Sequence, residues 1–256
     1  MELWTPTHTK SILPALAVMV LLSVLLRKWL LRKDLKIRMI PVQIITVMLL
    51  LLEVGKQTIS FRRGYDLYHI PLHVCSLFLF IMPAMAFYRG KHCKSVRAIA
   101  AAFCTAVFAL MMIYPNLIYS ADNVRNFFRD YMDFHTVAFH NLVMLLFMLL
   151  LALNLHSPEK GQGKAVVWFT VVYCAIAASM AHLLKTNFAN FYRCNIPPLE
   201  EVRLKVAGAL GVAVAQIFYA LIVSALTVGF VLGVYQLYRL LNRLNNKKKL
   251  AETVQP

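Results

Sequence analysis

Seven apolar stretches, each close to one bilayer thickness and nearly free of charge, fill most of this chain of 256 residues. At about 1.5 Å of rise per residue, some 20 such residues cross the hydrocarbon as a helix that satisfies its own backbone. Only 15% of residues are charged and 60% are hydrophobic, with a mean hydropathy of +0.65. A soluble domain holds about 25% charged residues. The expected fold is therefore an all-α membrane protein, a single polytopic domain over residues 1–256 with about seven transmembrane helices. The spans are expected at residues 12–26, 39–60, 70–88, 96–115, 137–155, 165–184 and 213–238, the first being the shortest.

Basic residues set the orientation, because loops rich in lysine and arginine stay on the cytoplasmic side. RKWLLRKDLKIR, RGKHCKSVR and the tail YRLLNRLNNKKK are strongly basic, whereas residues 116–133 mix Asp122, Asp130 and Asp133 with Arg125 and Arg129. This alternation predicts an outside N-terminus and a cytoplasmic C-terminus. The net charge of +16 is then mostly a topology signal, with anionic lipid head groups at the cytoplasmic face as partners and no nucleic acid. The n-region MELWTPTHTK carries only Lys10 and the basic cluster follows the apolar run, so the first span is expected to be retained. The localisation that follows is integral and multi-pass, in the plasma membrane if the cell is bacterial.

No nucleotide-binding glycine loop, zinc-finger spacing or low-complexity tract is present. Cofactors are expected to be none. Paired repeats of the kind that mark many transporters are absent, and Pro71, Pro83 and Pro115 are the possible kinks. Of the five cysteines only Cys194 is expected on an oxidising side, which argues against a disulfide framework.

What distinguishes the chain is histidine near one end of three spans: HIPLHVC (His69 to Cys75), HTVAFHN (His135 to Asn141) and HLLKTN (His182 to Asn187). Under the expected topology all three ends lie outside, so imidazoles, a thiol and amides converge. On the second span Glu53 and Lys56 are three apart, share a helix face and can pair. Ionisable groups inside hydrocarbon are costly and usually functional. His8, His92 and His156, by contrast, fall in the tail or beside loops, where imidazole needs no explanation. Residues 116–134 and the segment after Asn187, stiffened by Pro197 and Pro198, are expected to lie over the pocket.

Cys75 is the one thiol expected near several histidines, and a neighbouring imidazole makes a thiol nucleophilic. On a continuous helix His73 and Cys75 would face about 200° apart, so the expected base comes from another span, His140 first and His182 second. His69 and His73, four apart, would share a face and serve substrate positioning or metal ligation with His140 and Glu53. No second HxxH or HxxxH follows, and the metal assignment is none. Asn187 or Asn141 would orient an imidazole or donate to an oxyanion. The chain lacks a GxSx turn for a serine site.

HIPLHVC, the FH of Phe139 and His140, and TNF (Thr186 to Phe188) ahead of a proline-containing segment resemble motifs of the YwaF-like integral membrane family. The resemblance runs from about Met39 to the last span, and PLHxC is its most specific element. That family includes a vertebrate transmembrane acyltransferase acting on ether phospholipids. The resemblance implies a seven-helix bundle and a cysteine and histidine acyl-transfer site, with Cys75 and His140 at the matching positions. The chain departs from it in FHN and FANFY, where the relatives differ.

The function expected is thus a membrane enzyme transferring or hydrolysing a lipid acyl group, a cysteine-dependent phospholipid acyltransferase or lipid hydrolase. Cys75 and His140 would be catalytic, with His69, His73, Glu53, Lys56, His182 and Asn187 supporting, and the substrate a membrane phospholipid or other acyl-lipid. The alternative is a transporter or lipid-binding protein that uses the histidines and Glu53 to hold a proton, ion or head group.

Overall fold

The computed structural model describes residues 4–193 and 197–254. Helix is the only regular structure among them: α1 (Pro6–Leu30), α2 (Leu35–Arg38), α3 (Ile40–Arg62), α4 (Phe78–Phe87), α5 (Cys93–Ile113), α6 (Ala121–Arg125), α7 (Tyr131–Ala152), α8 (Gln162–Leu183), α9 (Pro197–Leu210) and α10 (Val212–Val254). Six of the helical stretches are long and apolar enough to cross a membrane. The molecule is an integral, multi-pass α-helical membrane protein.

The helix starts are written in local chemistry. Thr5 caps α1 in a reciprocal box, its hydroxyl accepting from the His8 amide at 3.3 Å while His8 Nδ1 accepts from the Thr5 amide at 3.4 Å, and Pro6 takes the first helical position. Asp130 caps α7 by accepting from the Met132 amide at 2.7 Å. That cap places the start of α7 six residues ahead of the expected Val137, so His135 stands inside the helix. Cations in the last turns of α1 and α2 also cap: Arg27 Nη1 donates to Ala152 O at 3.0 Å and Arg38 Nη1 to Leu153 O at 2.9 Å, closing orphan carbonyls at the end of α7.

At the centre runs α5, which packs against α4, α7, α8 and α10. Ala98, Ala100, Ala101 and Ala102 are fully buried there. Small side chains let helices approach closely where lipid supplies no hydrophobic drive between them. By contrast α1 leans on α7 and leaves Val18, Leu21 and Trp29 exposed, the pattern of a face that meets acyl chains.

Two expectations are corrected here. The third span is not one helix from residue 70 to 88: a turn at Leu67–His69 is followed by non-helical chain, and helix begins only at Val74. Pro71 is the reason. Its ring disfavours helical geometry in the residue before it, and Ile70 sits at ψ 133°. The helical remainder, Val74–Phe87, is about 21 Å long, short of a full hydrocarbon crossing. Secondly, His8, in the first turn of α1, and His156, in the link between α7 and α8, are not solvated imidazoles. Both are buried, at 0% and 3% exposure. His8 Nε2 donates to Tyr119 O at 3.1 Å, and His156 stacks on Tyr235 and Tyr238 with Nε2 3.3 Å from the Tyr235 hydroxyl. Burial, with the Arg97 charge adding to it, lowers the His156 pKa to about 4. Cys194, expected to be exposed, lies outside the described residues.

Candidate functional site

One stripe of α3 organises the polar end of the bundle. Glu53, Lys56, Gln57 and Ser60 fall at i, i+3, i+4 and i+7, so they share a single helix face. Lys56 pairs with Glu53 at 2.8 Å, as the spacing allows, and the side chains are only 13% and 11% exposed. Gln57 Nε2 donates to Glu53 Oε1 at 2.6 Å, and His135 Nε2 of α7 stands 3.3 Å from Glu53 Oε2 without the alignment of a hydrogen bond. A buried charge needs such company to stay ionised.

The same stripe holds the unwound chain ahead of α4. Gln57 Nε2 donates to the His69 carbonyl at 2.8 Å, Gln57 Oε1 accepts from the Tyr65 hydroxyl at 3.0 Å, and Ser60 Oγ lies 2.7 Å from His69 Nδ1. Non-helical backbone at membrane depth is tolerated where protein satisfies it or a cavity borders it. Both conditions are met here. Tyr173 on α8 donates its hydroxyl to Leu72 O at 3.0 Å.

Because residues 70–73 are not helical, the expected face relationships are replaced. His69 and His73 do not stack one turn apart: His69 turns to Ser60, whereas His73 Nε2 donates to Tyr68 O at 3.1 Å. Nor do His73 and Cys75 point apart. Both line one cavity of about 510 Å³ together with Tyr68, Asn187 and the apolar faces of α5 and α10. Phe188 packs edge-on against the His73 ring, with centroids 5.5 Å apart. Burial first, then the neighbouring Cys75 and Asp66, raise the Tyr68 phenol above its ordinary pKa. Cys75 lies in the first turn of Val74–Phe87, where backbone amides have no intrahelical acceptor and the dipole favours negative charge.

Of the remaining candidates, His140 and His182 do not line this cavity, whereas Asn187 does. His140 on α7 is 8% exposed; its Nδ1 donates to Thr136 O at 2.6 Å, which fixes the tautomer and leaves Nε2 as a buried acceptor with no partner among the described residues. His182 Nε2 lies 3.2 Å from the Gln216 amide of α10, which also reaches Tyr192 O at 2.9 Å. Arg203 of α9, on the cavity wall, donates from Nη1 to Gln216 Oε1 at 3.0 Å and pairs with Glu200. Asn187 closes its own loop, accepting from the amides of Tyr192 and Arg193 at 3.2 and 3.1 Å. Among the described residues no group of three or more His, Cys, Asp or Glu side chains stands where it could hold a metal ion.

Gln57, Ser60, Tyr68 and Gln216 were not singled out by the sequence, and His135 was noted in HTVAFHN but given no role. Two signals pointed to them: the i, i+3, i+4, i+7 polar stripe of α3, and Asp130 as a cap that brings His135 into α7. Gln216 carried no local signal, since its partners are distant in sequence.

No curated protein and no solved structure matches the chain. A model of the TMEM164 family matches residues 3–235, nearly the whole length. With that match and a bundle of membrane-length helices, the chain belongs to the TMEM164 family of membrane proteins.

Proposed function

We propose that the protein transfers a lipid acyl group through a thioester on Cys75. The observation that carries this reading is the position of the thiol on the wall of a mainly apolar cavity, at the start of a helix and beside His73 and Asn187. The apolar part suits an acyl chain, and the polar end suits an ester and its head group.

In the reaction proposed, the thiol proton passes to His140 Nε2 through a water relay, since His140 stands off the cavity wall, and Cys75 Sγ attacks the ester carbonyl. Amides of the first turn of Val74–Phe87, with Asn187 Nδ2, stabilise the oxyanion. The ester C–O bond breaks and the leaving alkoxide recovers the proton from His140. A hydroxyl of a second lipid, or water, then loses its proton to His140, attacks the thioester and breaks the C–S bond, and the departing Cys75 thiolate recovers that proton. His73, held by Tyr68 O, orients the segment and the ester. Glu53, Lys56 and His69 keep that segment in place.

The test is acyl exchange in proteoliposomes that contain a labelled diacyl phospholipid and a lysophospholipid acceptor. The wild type is expected to move label to the acceptor, and Cys75→Ala and His140→Gln to lose at least 100-fold of that rate. Exchange by Cys75→Ala at the wild-type rate would contradict the proposal. Solute uptake that survives Cys75→Ala and is lost in Glu53→Gln would support the transport reading instead.

A further inference from the structure

Contacts at the C-terminal end of α7 gather the basic segments onto one end of the bundle, away from the cysteine site. Arg27 and Arg38 reach the carbonyls of Ala152 and Leu153, and Lys94 of α5 pairs with Glu159 of the α7–α8 link at 2.6 Å. By the distribution of lysine and arginine this end faces the cytoplasm. Asp34 and Glu159 are the only carboxylates in residues 27–38, 89–97 and 156–164, and Glu159 is taken by Lys94. The chain therefore leaves most of these cations without an internal counter-charge.

One of them is half-buried. Arg97 follows Lys94 by three residues on the same face of α5, and its side chain makes no hydrogen bond and no ion pair with any described residue. Its Nε is closed to solvent, whereas Nη1 and Nη2, equally without partners, are open to it. The guanidinium thus has its back in protein and its fork at the surface. Close by, the Arg97 charge acts on the His156 ring, whose Nε2 lies 3.3 Å from the Tyr235 hydroxyl. Arg239 of α10, also half-buried, acts on that same tyrosine, and its Nη1 donates to the neutral Gln236 Oε1 at 2.8 Å. The carboxylate that both sites feel is Glu159, already bound by Lys94.

A guanidinium keeps its charge at any physiological pH, and holding it half out of water without an anion is unfavourable. Its planar fork matches two oxygens of a phosphate. The surroundings say where that phosphate comes from. Beyond Arg97, α5 carries no charge as far as Ile113, so the fork stands at the edge of the hydrocarbon. Leu237 and Leu240 flank Arg239 in sequence and are 46% and 53% exposed. A phosphate that brings its own acyl chains meets both the cations and these leucines, whereas a free phosphate meets the cations alone. The cytoplasmic leaflet supplies anionic phospholipid, and the surplus of cations repels the ammonium of a zwitterionic head group.

We propose that the cytoplasmic end of α5 and α10 binds one anionic phospholipid, its phosphate held by Arg97 and Arg239 and its chains lying against Leu237 and Leu240. This is a single site built on a partnerless arginine, distinct from the general attraction of a basic surface to acidic lipid. It does not depend on acyl transfer at Cys75.

The experiment is native mass spectrometry of the full-length protein in detergent, titrated with dioleoyl phosphatidic acid, with dioleoyl phosphatidylcholine, and with inorganic phosphate. The wild type is expected to bind its first phosphatidic acid about tenfold more tightly than phosphatidylcholine, and inorganic phosphate is expected not to displace it. Arg97→Gln should weaken that first binding about tenfold, and Arg97→Lys, which keeps the charge and loses the fork, should recover only part of it. Lys36→Gln, which removes an exposed charge from the same end of the bundle, should change it by less than about twofold. Equal losses in Arg97→Gln and Lys36→Gln overturn the proposal and leave diffuse surface attraction. Equal affinity of the wild type for the two lipids overturns it as well, and binding of inorganic phosphate in that case assigns the arginines to a soluble anion. The comparison of lipids needs no variant, so a misfolded substitution does not weaken it.

Discussion

Gln57 donates its side-chain amide to the His69 carbonyl at 2.8 Å and so ties α3 to the unwound chain that precedes Cys75. All its polar atoms are used: the nitrogen also meets Glu53, and the oxygen accepts from Tyr65. Gln57→Ala should free residues 66–73 and change the rate of Cys75 alkylation by a membrane-permeant maleimide by tenfold or more, with the fold retained. Gln57→Glu, which loses both donors, should do the same. An unaltered alkylation rate in both variants would show that the segment is held by other means.

The Glu53–Lys56 pair is buried and shared with Gln57 and His135, so breaking it from one side strands a charge. Lys56→Met should destabilise the protein by on the order of 3 kcal/mol, as single truncations of buried pairs do. Removing both charges in Glu53→Gln/Lys56→Met should recover most of that loss. Thermal unfolding in detergent would measure the cycle, and an additive double variant would contradict the coupling.

Gly55 has no room for a side chain. A methyl group there would fall on the Tyr131 hydroxyl, which donates to Leu52 O at 3.0 Å. Gly55→Ala is therefore expected to cost about 1–3 kcal/mol through overpacking. Adding Tyr131→Ala to it should relieve the clash and return part of the stability. A Gly55→Ala protein as stable as the wild type would place Tyr131 elsewhere.

His156 gives the stability a pH dependence. Its folded pKa, lowered to about 4, lies below the unfolded value of about 6.5, so the unfolded chain binds the extra proton between them. The contribution is complete above about pH 6.5 and is lost as pH falls toward 4, by at most about 1.4 kcal/mol per unit. Melting temperature should drop over that window in the wild type and drop less in His156→Gln. Parallel curves for the two proteins would remove His156 as the cause.

How much of this was legible in the sequence differs from residue to residue. The apolar runs predicted the membrane class, and the spacing of Glu53 and Lys56 predicted their pairing, because both depend on short-range periodicity. Pro71 was read as a possible kink, yet the third span was still drawn through it. That one break changes what His69, His73 and Cys75 face. His8 and His156 were misjudged for another reason: their burial depends on Tyr119 and on the tyrosines of α10, more than 70 positions away. Local patterns carry no trace of such partners.

Intact-protein mass spectrometry tests the central claim most directly. The full-length protein, extracted in mild detergent after incubation with mixed phospholipids, is compared with Cys75→Ala, before and after hydroxylamine. The account predicts a fatty-acyl mass on the wild type that hydroxylamine removes and that Cys75→Ala never carries. An acyl adduct that persists in Cys75→Ala, or a wild type that turns over lipid while its thiol stays unmodified under trapping, would contradict the thioester and with it the reading of this cavity.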